Sequence, residues 1–255
     1  MTKISPPRVT IKVVSLVGSS RRHAMSSQFE DTSLQWSFQD AATALPDELK
    51  YIPEKARRIR GRYLEKGELG CFASHYLLWK GLIDDSNSDA YIILEDDVVI
   101  DKGFFEKFVA DAHEALDGIN YLRFYSKVPS VHLNRKKFMD RFVVEYGELT
   151  FGTQAYYIDK HAAAKYLKSL TEVVRPIDDE MDRSWFHGVH NFCVFPHPVF
   201  EVQGPSTIAS ERRQLNPPTG VYRLGWLKER LHEKFRKMRY RWRRRLEPTI
   251  NRMPS

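Results

Sequence analysis

AYIILEDDVVID, Ala90 to Asp101, is the stretch on which the fold turns. Tyr91 to Leu94 is a short apolar run with the β-branched content of a buried strand. Three carboxylates, Glu95, Asp96 and Asp97, end it abruptly, and apolar residues resume at Val98 to Ile100. Adjacent acids at the end of a buried strand repel one another and lose solvation, a cost that a bound cation removes. Oxygen ligands suit Mg2+ or Mn2+, ions commonly held by one or two carboxylates together with substrate phosphates. In open α/β sheets, ligands bind beyond the carboxyl ends of the strands. The stretch therefore reads as a metal–diphosphate site of the kind a nucleotide-sugar enzyme uses. Spacing alone leaves open the alternative of an acidic turn in solvent.

Working outward, Gly67 to Leu82 places Leu69, Phe72, Ala73, Tyr76 and Leu77 near helical spacing and reads as a helix. Ile11 to Val17 reads as a strand ending in the Gly18-Ser19-Ser20 turn, with a helix over Arg21 to Phe29. Trp36 to Phe38 reads as a short strand. Leu45 to Arg62, polar and interrupted by Pro46 and Pro53, reads as irregular. Further helices are expected over Gly103–Leu116, Lys160–Leu170 and Asp178–Gly188. Strands are expected at Tyr121–Tyr125, Phe142–Glu145, Ala155–Ile158 and Phe192–Val202. Strands alternating with helices predict an α/β fold with a mostly parallel central sheet. Neither glycine-rich phosphate-loop pattern, G-x-x-x-x-G-K-[ST] or G-x-G-x-x-G, occurs.

A chain of 255 residues with 42% hydrophobic content can bury one sizeable core. It holds no apolar run of about 18 residues, the length a membrane-crossing helix needs, and no signal-peptide block near its start. Cys71 and Cys193, each beside a phenylalanine, read as buried free thiols rather than a disulfide framework. These features point to a cytoplasmic protein. The net charge of +7 is concentrated: residues 223–245 carry 11 Lys or Arg and 2 Glu, leaving 29 basic and 31 acidic residues elsewhere.

That basic segment is also periodic. Leu224, Leu227, Leu231, Phe235, Met238, Trp242 and Leu246 recur at three- and four-residue intervals, one face of a long helix. Pro217, Pro218 and Gly220 set it apart, which predicts a main domain over 1–215 and a linker plus basic amphipathic tail over 216–255. A basic amphipathic helix suits an anionic membrane surface, here through residues 222–246. Nucleic acid and a partner helix are the weaker alternatives.

Four segments carry a resemblance that covers about Ile11 to Ser210. They are VVSLVGSSRR (Val13–Arg22), GELGCFASHYLLW followed by ILEDDV (Gly67–Val98), GTQAYYI (Gly152–Ile158) and RPIDD (Arg175–Asp179). Together, in this order, they resemble glycosyltransferase family 25, the bacterial lipooligosaccharide glycosyltransferases related to animal collagen galactosyltransferases. The resemblance implies the GT-A fold, Mn2+ or Mg2+, and inverting transfer from a UDP-sugar donor, with galactose as the expected sugar. The expected acceptor is a lipid-linked oligosaccharide at the inner face of the cell membrane.

By the same resemblance, Glu95 and Asp97 match the outer acids of the D-x-D motif: Asp97 is assigned to the metal, Glu95 to the metal or donor sugar. Asp96 is assigned to the ribose or a backbone amide. Asp178 matches the family's catalytic acid, with Asp179 beside it; a helix-capping role is the structural alternative for Asp178. Ser19, Ser20 and Arg22 follow the first strand, where hydroxyls and a guanidinium can meet uracil or phosphate oxygens. Ser74 and His75 are assigned to the nucleotide side, and Thr153 and Gln154 to the donor sugar or acceptor. His197 lies outside the family pattern and is a candidate late metal ligand; Trp185 and Phe186 are candidates for stacking on an acceptor ring or for core packing. A nucleic-acid-binding phosphoesterase would need more converging metal ligands than the chain offers, and a non-catalytic scaffold would not need Asp97 and Asp178.

Overall fold

The computed structural model describes residues 7–116, 118–128, 132–202 and 222–246. In chain order the elements are β1 (Val9–Ser15), α1 (Arg21–Ser27), β2 (Trp36–Asp40), β3 (Lys50–Tyr51), α2 (Pro53–Arg60), α3 (Lys66–Asp84) and β4 (Ala90–Glu95). There follow β5 (Val98–Ile100), α4 (Lys102–Ala115), β6 (Tyr121–Arg123), β7 (His132–Phe138), β8 (Arg141–Tyr146), β9 (Ala155–Asp159) and α5 (Lys160–Ser169). Last come β10 (Glu172–Val173), α6 (Ile177–Met181), α7 (Ser184–His187), β11 (Phe192–Phe195), β12 (Val199–Glu201) and α8 (Tyr222–Leu246). The expected linker at 216–221, and with it the boundary at 215, lies outside the described residues.

Eight strands form the central sheet in the order β2-β1-β4-β9-β6-β11-β8-β7. β4 is buried on both faces. Ala90, Ile92 and Leu94 join one core with Met25 of α1 and the α4 aromatics Phe104, Phe105 and Phe108. Tyr91 and Ile93 join the other, with Phe72, Leu78 and Trp79 of α3 and Tyr166 of α5. Alternate residues of a strand face opposite sides, so a continuous apolar run is what a helix–sheet–helix sandwich requires. Trp79 stacks on Tyr166 with ring centroids 4.7 Å apart, tying α3 to α5.

The sheet is mixed, not mostly parallel. β1 runs parallel to β2 and β4, and β11 to β6. β9 is antiparallel to both β4 and β6, and β8 is antiparallel to β11 and β7. β9 slots between β4 and β6 after the β7–β8 hairpin, with no crossover helix before it, and so runs against both neighbours. Hydrophobic periodicity reports that a strand exists, not its direction.

Two local expectations also change, and one strand was not expected. The segment read as irregular contains β3 and α2, with Pro53 at the first helical position and Gly61 ending the helix at φ 83°. Proline fits that first turn because its missing N–H has no intrahelical partner there, and the left-handed cap favours glycine. The single helix expected over Asp178–Gly188 is two short ones, α6 and α7. β7, polar on its exposed face, went unread.

Candidate active site

β1 sits between β2 and β4: the chain passes from β1 outward to β2 and then returns to β4 on the other side of β1, so the strand order reverses beside the carboxyl end of β1. Crevices of this kind are where ligands bind in α/β sheets. The register pairs Val14 with Glu95, which brings the turn after β1 against the acids after β4. Gly18, at φ 76°, supplies the left-handed residue of that turn, and Ser19 N–H donates to the Leu16 carbonyl. The result is a cavity of about 730 Å3. Its walls come from the β1 turn, the start of α3, the acids 95–97, the segment 152–154, Asp178 and Glu201.

Asp96 fastens two of these walls together. One of its oxygens accepts from Ser15 Oγ at 2.6 Å and Ser19 Oγ at 3.0 Å, and the other from Arg21 at 3.4 Å. Asp97 lies differently. Its Oδ1 is buried without a hydrogen-bond partner, and its Oδ2 is 3.7 Å from Arg21. Burial, then the charge of Glu95, push its carboxyl up to about 7, with Arg21 opposing. Glu95 goes the other way. Burial would raise it, but the N–H of His75 Nε2, 3.8 Å away, and a short hydrogen bond from Thr153 Oγ1 hold it below the usual range.

His75 is wholly buried on α3. Trp79 Nε1 donates to the Tyr156 hydroxyl at 3.0 Å, and that hydroxyl meets His75 Nδ1 at 2.7 Å. Indole N–H is a donor only, so the Tyr156 proton goes to Nδ1, which leaves Nε2 protonated and facing Glu95 at 3.8 Å. Cys71, His75 and Glu95 bring a thiol, an imidazole and a carboxylate within 4.8 Å. With its proton aimed at Glu95, His75 Nε2 serves there as a donor rather than a ligand. The orphaned oxygen of Asp97 among further carboxylates fits a hard, oxygen-preferring cation such as Mn2+ or Mg2+.

The far wall is held by a buried network. Asp182 accepts from Arg123 at 2.8 Å, from the backbone N–H of Thr150 and Phe151 at 2.7 Å each, and from Thr150 Oγ1 and Asn191 at 2.9 Å. Arg123 also donates to the carbonyls of Phe151, at 3.2 Å, and Gly152. This fixes the loop at Phe151 and Gly152, both at positive φ. Gly152 N–H then reaches Asp178 Oδ2 at 3.3 Å. Asp178 sits in the first turn of α6 with its Oδ1 accepting from Asp179 N–H at 2.9 Å; Pro176, not Asp178, occupies the cap position.

Of the residues singled out from sequence, Ser19, Ser20, Ser74, His75, Glu95, Asp96, Asp97, Thr153, Gln154 and Asp178 converge on this cavity. Ser74 holds the opposite rim, accepting from Ala42 N–H and donating to the Gly70 carbonyl, both at 2.8 Å. Arg22 turns away, bonding the Ser15 carbonyl at 2.9 Å and Asp40, with its guanidinium over Phe38. Asp179 lies behind the wall, paired with Arg60 and Arg175, and burial raises its carboxyl to about 6 against those two charges. His197 packs against Phe195 and Tyr125, outside the cavity. Trp185 donates to Glu233 at 2.6 Å, and Phe186 lies under the Arg183 guanidinium. Cys71, expected to be buried, is half-buried and lines the cavity at the edge of the core; Cys193 is buried.

Sequence reasoning missed Arg21, Lys127 and Glu201. Glu201 reaches the site because β12 pairs with β5, placing it opposite Val98. It accepts from Tyr125 at 2.9 Å and lies 3.6 Å from Lys127. Only the antiparallel pairing of β12 with β5 reveals it.

A sequence profile described as glycosyltransferase family 25 (LPS biosynthesis protein) matches residues 9–181. The chain belongs to glycosyltransferase family 25. The matched segment runs from β1 into α6 and includes the three acids and Asp178; Glu201 and α8 lie beyond it. A glycosyltransferase 25 family member from Aedes aegypti is 27% identical over 177 residues, 62% of this chain and 28% of that protein. Lipooligosaccharide biosynthesis protein lic2B from Haemophilus influenzae is 29% identical over 100 residues, 39% of this chain and 37% of its own. Procollagen galactosyltransferase 1 from Danio rerio is 40% identical over 50 residues, 20% and 8% of the two chains. This chain thus spans well under half the length of these relatives. Among solved structures, a glycosyltransferase involved in glycosylating the major capsid of PBCV-1 superimposes with TM-score 0.33 at 13% identity, covering 62% of each chain. A197 from STIV does so with TM-score 0.44 at 14% identity, covering 77% of this chain and 86% of that one.

Proposed function

We propose that this glycosyltransferase has the GT-A fold and is metal-dependent and inverting, moving galactose from UDP-galactose to a lipooligosaccharide or lipopolysaccharide acceptor at the inner membrane face. The observation that carries this is that two kinds of carboxylate line one cavity. Asp97 keeps a buried, unpartnered oxygen beside Glu95. Asp178, held by Gly152 N–H at 3.3 Å, lines the same space. The relatives named for galactosyl transfer and lipooligosaccharide biosynthesis support the sugar and the acceptor.

Asp97 and Glu95 would hold the cation, with Glu201 at the same wall. A bound Mn2+ or Mg2+ supplies Lewis acidity to the departing diphosphate. Arg21 and Lys127, both in the cavity wall, would meet phosphate oxygens with charge-assisted hydrogen bonds. The Ser19-Ser20 turn would cradle the nucleotide. Asp178 takes the proton of the acceptor hydroxyl as its oxygen bonds to the anomeric carbon. The carbon–oxygen bond to the diphosphate breaks, the electron pair leaves with UDP, and the configuration inverts. General-base assistance of this kind contributes about 10^2 to 10^4 in rate.

The test is a transfer assay with UDP-galactose, Mn2+ and de-O-acylated lipooligosaccharide, read by NMR at the new anomeric centre. A β-linked product from the α-linked donor is expected. An α-linked product would rule out inversion and with it the base role of Asp178.

A further inference from the structure

α8 is fastened to the domain by its polar side. Glu233 binds Arg183, Trp185 Nε1 at 2.6 Å and Arg175 at 3.6 Å. Lys237 and Arg241 reach Glu148 at 3.3 and 2.6 Å. Arg244, buried, forks onto the fully buried Glu145 at 2.6 and 3.0 Å, and Tyr240 meets His190 at 2.8 Å. These residues share one face of the helix. The stripe from Leu224 to Leu246 lies on the opposite face, where Leu231, Phe235, Met238 and Trp242 are 58–67% exposed. An amphipathic helix ordinarily buries its apolar face against its own domain; this one presents it outward.

Basic residues border the stripe. Lys228, Lys234, Arg236, Arg239 and Arg243 are all exposed. On one flank Arg236, Arg239, Tyr240 and Arg243 face Trp185 and Phe186 across a second cavity of about 640 Å3 between α7 and α8. The geometry points to α8 as the docking surface for an anionic lipid bilayer, with the apolar stripe in the acyl–headgroup boundary and lipid phosphates in the arginine-lined cavity. Charge complementarity selects this occupant. A second copy of the chain would set one set of cations against the other. A nucleic-acid backbone would satisfy the arginines but leave the stripe in water. No helix among the described residues is long and apolar enough to cross a membrane, so attachment through α8 would be interfacial. The inference rests on α8 and its flank, not on the chemistry of the acidic cavity.

The test is co-sedimentation of the full chain with vesicles of phosphatidylcholine alone and of phosphatidylcholine with phosphatidylglycerol. Binding is expected to the anionic vesicles and to weaken with salt. The double variant Leu231→Glu/Phe235→Glu should lower partitioning at least about tenfold, and Arg236→Ser/Arg239→Ser/Arg243→Ser about a hundredfold at low salt. Both change exposed side chains, so thermal midpoint and UDP binding should stay at wild-type values. Failure to bind anionic vesicles would overturn the inference, as would equal binding to neutral ones or undiminished binding by the stripe variant. So would a dimer, seen by analytical ultracentrifugation, that the stripe variant dissolves.

Discussion

Asp97→Asn should make the metal-free protein more stable, by an amount that grows with pH. The folded protein holds the Asp97 carboxyl near 7 instead of its ordinary 3.8, through burial and the neighbouring Glu95. Below 3.8 the carboxyl is protonated whether the chain is folded or not, and there is no penalty. Between 3.8 and about 7 the unfolded chain releases its proton while the folded one keeps it, so stability falls as pH rises. Above about 7 both are ionised and the penalty is complete. The span of about three pH units, at 1.36 kcal/mol each, gives about 4 kcal/mol. Asn keeps the volume but loses the charge. Because Asn must still place a polar group at the site of the orphaned oxygen, the net gain expected is about 2–4 kcal/mol at about pH 8 and near zero at about pH 4. Urea denaturation of both proteins with chelator, at the two pH values, measures the difference directly; titrations common to both cancel. Added Mn2+ should stabilise the wild type and not the variant. A difference that stays flat with pH, or a variant that is less stable at high pH, would refute the reasoning.

Three further outcomes follow from the same geometry. Asp178→Asn removes the proton acceptor but keeps the Gly152 contact, so kcat should fall by about 10^2 to 10^4 while UDP affinity, measured by calorimetry, holds. Asp182→Ala leaves the buried Arg123 guanidinium without its carboxylate, and urea denaturation should show a loss of about 3–5 kcal/mol. Gly70→Ala would put a Cβ 2.6 Å from the Ala42 carbonyl oxygen, forcing the 41–43 rim off α3; a loss of about 1–3 kcal/mol in thermal or urea denaturation is expected, together with weaker nucleotide binding.

Much of the site was legible because its chemistry is local. Glu95, Asp96 and Asp97 follow a strand with no break, and the Gly18 turn follows another, so parallel pairing of those two strands alone brings them together. Asp178 was reached through its motif. The direction of β9 was not legible, because Tyr156 to Ile158 would be as apolar in a parallel strand as in the antiparallel one observed. Glu201 and Lys127 arrive through long-range pairing and carry no sequence mark. Asp179 looks identical to Asp178 in sequence; a one-residue rotation about α6 sends it behind the wall to Arg60. The periodicity of α8 identified its apolar stripe but not which face the domain would hold, since that depends on Glu145, Glu148 and Arg183, far away in sequence.

The central claim is that the acids after β4 hold a cation that in turn holds a nucleoside diphosphate. Calorimetric titration of UDP into the protein, with and without Mn2+, tests it most directly. The account expects tight binding only with Mn2+, lost in Asp97→Ala. UDP binding of equal strength without the ion, or unchanged in Asp97→Ala, would contradict it.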